Sequence, residues 1–160
     1  MNRIASRLRG RLCHALRIVP VLLAGAAGPL ALPATAAPGG SVLVVTNDRG
    51  GSLGERADLI RQLRSSGQRV ELRGTCLSAC TMYLGLTNIC ISASAQFGFH
   101  GPTRDGHRLP AAEFDLWSQV MARNYAPELQ RWYLHTARHR ISGYYRKSGA
   151  ELIRMGYPEC

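Results

Sequence analysis

The 160 residues leave room for a single domain, and 20 Lys and Arg against 10 Asp and Glu give a net charge of +10. Five of the arginines and no acidic residue precede Ala37, so the balance beyond it falls to +5, carried by arginines scattered among helix positions and loops. A surface that tracks phosphates clusters its charge; nucleic acid is therefore excluded as a partner and a solvated face is expected.

The first element is a signal sequence. Arg3, Arg7, Arg9, Arg11 and Arg17 form a cationic start, Ile18 to Leu32 an apolar stretch broken by prolines and glycines, and Ala34-Thr35-Ala36 a small-x-small cleavage site. The run falls short of the roughly 18 apolar residues that a membrane span needs. Cleavage after Ala36 is expected, with residues 37–160 as one periplasmic or secreted α/β domain that keeps no membrane span. No Arg-Arg pair precedes the apolar stretch, so a twin-arginine signal is not indicated.

Ser41 to Thr46, SVLVVT, is a continuous β-branched run of the kind that forms a strand buried on both faces. A turn cluster follows, Asn47-Asp48-Arg49-Gly50-Gly51-Ser52. Leu53 to Ser66 places Leu53, Ala57, Ile60 and Leu63 on one helical face, with Gly67 to end it. Arg69 to Arg73 alternates as a second strand. Gly74 breaks the pattern, and a helix is expected to begin at Ser78 and run through Leu86. Ile89 to Ser92 and Gln96 to Phe99 read as two more strands, His100 closing the second. Helices are predicted over Ala111 to Ala126, interrupted by Pro127, then from Glu128 to about Ala137, and last from about Lys147 to Met155. The order strand, helix, strand, helix, strand favours an α/β layer with parallel crossovers. In such sheets, sites gather outside the carboxyl ends of the strands.

Cys13 leaves with the signal, and Cys76, Cys80, Cys90 and Cys160 remain. An even number in an exported chain indicates disulfides, and a bridge from Cys90 to Cys76 or Cys80 is the favoured one. A zinc site from Cys76, Cys80, Cys90 and His100 has none of the common finger spacings; no metal or other cofactor is expected.

The turn with Gly50 and Gly51, then Ser78-Ala79-Cys80 after a strand, then Phe97-Gly98-Phe99-His100-Gly101-Pro102, occur in the order that resembles the Clp protease proteolytic subunit and its crotonase-fold relatives. The resemblance covers most of the chain beyond Ala36. It implies the crotonase/Clp-protease-like fold of repeated strand-strand-helix units, with a mostly parallel sheet and C-terminal helices. It also implies a site: Ser78 as nucleophile, His100 as general base, and an oxyanion hole from the amides of Gly51 and Ala79. Relatives with a full triad carry an aspartate near the C-terminus, where this chain has His135 to Arg140; His139 stands about there and is the candidate third member. Asp105, Glu113, Asp115, Glu128 and Glu151 are further candidate orienters, with no positional reason to choose among them. Lys147, the only lysine, lies too far downstream for a serine and lysine arrangement.

The expected activity is that of an exported serine peptidase or hydrolase with an incomplete triad, acting on peptide or protein substrates and able to self-associate. Its alternatives are a non-catalytic periplasmic binding protein that keeps the cleft and a crotonase-like acyl-thioester enzyme; coenzyme A is not expected outside the cytoplasm.

Overall fold

The computed structural model describes residues 40–160; the signal segment with its cleavage site and Cys13 lies outside them. The described residues form a mixed α/β structure. A mostly parallel sheet carries helices, in the order β1 (Leu43–Asp48), α1 (Leu53–Ser66), β2 (Val70–Leu77), a 3-10 helix (Ser78–Gly85), β3 (Ile89–Ile91) and β4 (Gln96–Phe99). The hairpin β5 (Thr103–Arg104) and β6 (His107–Arg108) follows. Then come α2 (Ala111–Ala122), α3 (Pro127–His135), a short 3-10 turn (Ala137–His139), β7 (Tyr145–Ser148) and α4 (Gly149–Arg154).

β2 is the central strand. It pairs in parallel with β1 on one side, and on the other with β3 along Val70 to Leu72 and with β4 along Thr75 to Leu77. β3 and β4 thus share one lane of the sheet, interrupted where Ala95 N–H turns back to Ser92. The carboxyl ends of β1, β2 and β4 fall at one edge, and the three segments singled out in the sequence leave from them: Gly50 and Gly51, Ser78, and His100.

The register between β1 and β2 shifts between Val45 and Asn47, where β2 holds one residue more than its partner. A bulge of this kind re-aims the strand end beyond it. Gly74 sits there, and a Cβ on it would run into the Thr46 carbonyl, so the broken alternation in the sequence is the bulge itself.

The core lies beneath the sheet. Val70, Leu72, Phe97 and Phe99 are fully buried against Met82, Met121, Leu129 and Tyr133. Phe99 meets Tyr125 and Trp132 edge-on, with ring centroids 5.7 and 5.4 Å apart. Burying one such side chain contributes about 1.5–3 kcal/mol. Because strand side chains alternate, anchoring Phe97 and Phe99 in the core turns His100 to the opposite side. Some of the scattered cations have aromatic partners: Arg56 lies over Tyr83, Arg140 over Tyr145 and Lys147 over Trp132.

Three expectations are corrected. β1, at the edge of the sheet, is covered on one face and not on both: Val45 is buried while Val42 and Val44 are 45% and 47% exposed. The segment opening at Ser78 is a 3-10 helix, buried from Ala79 to Leu84 and stapled at its start by Thr81 Oγ1 donating to the Ser78 carbonyl at 2.7 Å. The last helix starts at Gly149, because Ser148 caps it: the Ser148 hydroxyl accepts from Glu151 N–H at 3.2 Å, and the Glu151 carboxylate accepts from Ser148 N–H at 2.7 Å. Tyr145 to Ser148 instead form an antiparallel strand beside β4.

The cysteine pairing is the fourth correction. Cys76 bridges Cys80, and Cys90 bridges Cys160. Cys90 lies beside Glu71 in the β2–β3 register, so Cys76 is five residues further along the neighbouring strand. At about 3.3 Å per residue that is near 16 Å, and disulfide Cα atoms lie within about 7 Å. The C-terminal stretch reaches Cys90 because it joins the sheet at Ile91, whose N–H donates to the Pro158 carbonyl at 2.8 Å and whose carbonyl accepts from Cys160 N–H at 3.1 Å. With all four described cysteines bridged, the zinc set considered with His100 is not assembled.

Candidate active site

Ser78 follows directly on β2, with φ of +56°. This left-handed conformation is uncommon for a residue with a Cβ. It turns the chain sharply between strand and 3-10 helix and leaves the hydroxyl at the sheet edge. His100 follows directly on β4, the parallel neighbour of β2. Its Nε2 lies 2.7 Å from Ser78 Oγ, so residues 22 apart in sequence meet because their strands are adjacent.

The turn after β1 closes the site. Gly50 and Gly51 have φ of +103° and +117°, which only glycine adopts without strain. A Cβ on Gly50 would come within 2.7 Å of Ser78 Cβ and 3.1 Å of the Ala79 nitrogen. The turn is held by Asp48, whose carboxylate accepts from Gly50 N–H at 2.8 Å and from Arg56 at 2.6 Å. Arg56 also reaches the Gly50 carbonyl at 3.4 Å and lies over the Tyr83 ring. The Gly50 amide is thereby occupied, whereas the Gly51 N–H has no partner among the described residues. The Ala79 amide opens the 3-10 helix, where N–H groups lack partners within the helix. A cleft of about 550 Å³ is lined by Gly51, Leu53, Trp117 and the β5–β6 hairpin, with the paired Arg104 and Glu113 also in its wall, and neither Ser78 nor His100 lines it.

His100 is positioned by its neighbours. Tyr144 meets the ring edge-on at 5.1 Å, and Tyr133 Oη donates to the His100 carbonyl at 3.2 Å. Nδ1 is buried and makes no hydrogen bond. His139 is exposed and is not brought to the ring; its segment meets the base through the main chain, with Gly101 N–H donating to the Arg140 carbonyl at 2.9 Å. The carboxylates named as orienters are engaged or placed elsewhere. Glu113 pairs with Arg104, Asp115 with Arg138 and Glu151 with Ser148, while Asp105 turns the β5–β6 hairpin and Glu128 opens α3.

No protein-family model matches this chain. No curated protein matches it either.

The arrangement has the parts that acyl transfer needs. A neutral imidazole can take the Ser78 proton on Nε2, and the Ala79 amide, next along the chain at the start of the 3-10 helix, is a donor of the kind an oxyanion requires. In that tautomer the imidazole proton is on Nδ1, which no carboxylate faces among the described residues.

Burial lowers the pKa of His100 below its ordinary 6.5, partly offset by the Gly101 backbone. Reactivity of Ser78 requires the neutral ring, so its acid limb is expected to have a midpoint below pH 6.5; a profile of labelling rate against pH checks this. Stability follows the same sign. Between the folded pKa and about 6.5 the unfolded chain binds more protons, so stability falls as pH drops through that window.

Gly50→Ala is expected to push the turn and Ser78 apart. A displacement of about 1 Å at a reacting group can cost about a hundredfold, and slower labelling of Ser78 by a fluorophosphonate in a folded variant would register it.

Asp48, Arg56 and Tyr144 were not singled out from sequence. The spacing of Asp48 two residues before Gly50 is a turn signature that could have marked the first. Nothing local marks Arg56, eight residues on, or Tyr144, which arrives through β7.

Proposed function

We propose that this chain is an exported serine hydrolase of the Clp-protease and crotonase-fold type, acting on peptide substrates. Ser78 is the nucleophile, His100 the general base, and the amides of Gly51 and Ala79 the oxyanion hole. The observation that carries the reading is the 2.7 Å approach of His100 Nε2 to Ser78 Oγ, made by two residues that each follow a parallel strand. The turn at Gly50 and Gly51, which leaves the Gly51 amide unpartnered among the described residues, supports it. Export is supported by the two bridges, Cys76–Cys80 and Cys90–Cys160. No described helix is long and apolar enough to cross a membrane.

The rival reading is a binding protein that holds peptides in the same cleft without cleaving them. The unpartnered Nδ1 of His100 favours it, since replacing the triad aspartate in a serine protease lowers turnover about ten-thousandfold. An acyl-thioester enzyme is disfavoured by export, which removes the chain from coenzyme A.

Incubation of the oxidised protein with a fluorophosphonate, followed by peptide mapping, tests the choice. An adduct on Ser78 together with cleavage of a mixed peptide library supports the hydrolase. Tight peptide binding with neither adduct nor cleavage supports the binding protein.

A further inference from the structure

The Cys76–Cys80 bridge encloses Ser78 symmetrically, with one cysteine two residues before it and the other two residues after. Both cysteines are buried, at 1% and 0% exposure. The β2 ladder holds Thr75, Cys76 and Leu77 extended, in register with Asn47 and Asp48 on one side and Gln96 to Gly98 on the other. Four residues of continued strand would separate the two Cα atoms by about 13 Å, whereas the bridge holds them at 5.3 Å. The reversal must therefore fall between Leu77 and Ala79. Ser78 takes it, with φ of +56°.

A residue with a Cβ held in that region costs on the order of 1–3 kcal/mol and persists only where its surroundings over-determine it. Among the described residues, the one other such case outside glycine is Asp105, in the exposed hairpin turn ahead of Gly106. Ser78 has no such turn glycine beside it. Its surroundings are the ladder, the Thr81 hydrogen bond to its carbonyl, the Gly50 backbone packed over it, and the covalent loop.

We propose that the Cys76–Cys80 disulfide is a positioning device for the nucleophile: a covalent brace that holds Ser78 in its left-handed conformation, with its hydroxyl on His100 Nε2. This role rests on the reading of Ser78 as nucleophile. It distinguishes the two bridges by task. Cys76–Cys80 closes a short loop around the reactive residue, while Cys90–Cys160, with a separation of 70, ties the C-terminus to β3 at a distance from it.

The test compares the full oxidised chain with Cys76→Ala/Cys80→Ala and with Cys90→Ala/Cys160→Ala, measuring the rate of fluorophosphonate adduct formation on Ser78 beside thermal unfolding. The first variant is expected to unfold cooperatively and to label at least tenfold more slowly. The second is expected to lose more stability and yet label within twofold of the parent, which separates positioning from stability. Labelling within twofold in the first variant overturns the brace. Should the first variant fail to fold, Cys76→Ser/Cys80→Ser, which breaks the bridge while filling the buried site, is compared with the parent at a temperature where its circular dichroism remains native. Labelling at least tenfold slower supports the brace, and labelling within twofold overturns the proposal. If the parent forms no adduct at all, the hydrolase reading fails on its own, and the brace is read from the ¹⁵N resonances of the His100 ring. Loss of the Ser78 hydrogen-bond signature at Nε2 when the bridge is removed supports it, and an unchanged signature refutes it.

Discussion

Ser78→Ala is expected to abolish fluorophosphonate labelling and to lower any peptide hydrolysis on the order of a millionfold, the scale seen when a serine-protease nucleophile is removed. The size follows from the geometry. Ser78 Oγ, at 2.7 Å, is the one group His100 Nε2 engages among the described residues, so no second hydroxyl stands ready to replace it. His100→Ala is expected to match Ser78→Ala closely in hydrolysis, and the double variant to be no worse than either. Nucleophile and base act as a unit, and the loss of one removes what the other contributes. The variants should fold like the parent, since Ser78 is only half-buried and the core contacts of its strand come from Leu72 and Cys76. Mass spectrometry of the labelled protein reads the result directly. An adduct that survives in Ser78→Ala would show that another serine reacts and would remove the ground for the proposed function.

Cys90→Ala/Cys160→Ala is expected to give the largest loss of stability of any substitution considered. Releasing a loop whose ends are 70 residues apart restores chain entropy to the unfolded state worth about 4 kcal/mol. Domains of this size are stable by about 5–15 kcal/mol in total, and the melting temperature should fall by about 15 °C. The effect is also structural. Without the bridge, the C-terminal residues hold β3 only through backbone bonds at Ile91, and β3 is three residues long. The short Cys76–Cys80 loop restrains the unfolded chain far less and is expected to contribute about half as much by the same reasoning. Thermal unfolding followed by circular dichroism ranks the two bridges; equal losses would show that the long loop is not what the Cys90–Cys160 bridge restrains.

The residues at the candidate site were legible because each carries a local signature. A glycine pair in a polar cluster marks a turn, and a histidine after Phe97-Gly98-Phe99 marks a strand end; Ser78 reads as a helix start behind a strand that ends at Arg73, whereas β2 runs on through the bulge at Gly74 to Leu77. Their common edge follows from parallel strand order, which the alternation of strand and helix implies. The helix at Leu53 was legible for the same reason, with Ser52 capping its start and Gly67 in the left-handed conformation at its end. Burial of β1 on both faces was misread, because a β-branched run has the same composition whether one face or two are covered. Whether the second face is covered depends on what packs over the sheet there, and that is a property of the whole fold.

The sequence by itself determined the α/β order, the glycine turn that holds Gly51, the strand end from which His100 leaves, and an even set of cysteines for bridging beyond Ala36. These depend on periodicity, turn chemistry and counting, all of which act within a few neighbouring residues. Only the tertiary structure decided that Ser78 and His100 touch, that Cys76 pairs with Cys80 while Cys90 pairs with Cys160, and that Asp48 and Arg56 hold the glycine turn. It also set Tyr144, and no carboxylate, against the base. Those outcomes depend on strand register and on the antiparallel return of β7, which bring together residues whose separation along the chain says nothing of their distance in space.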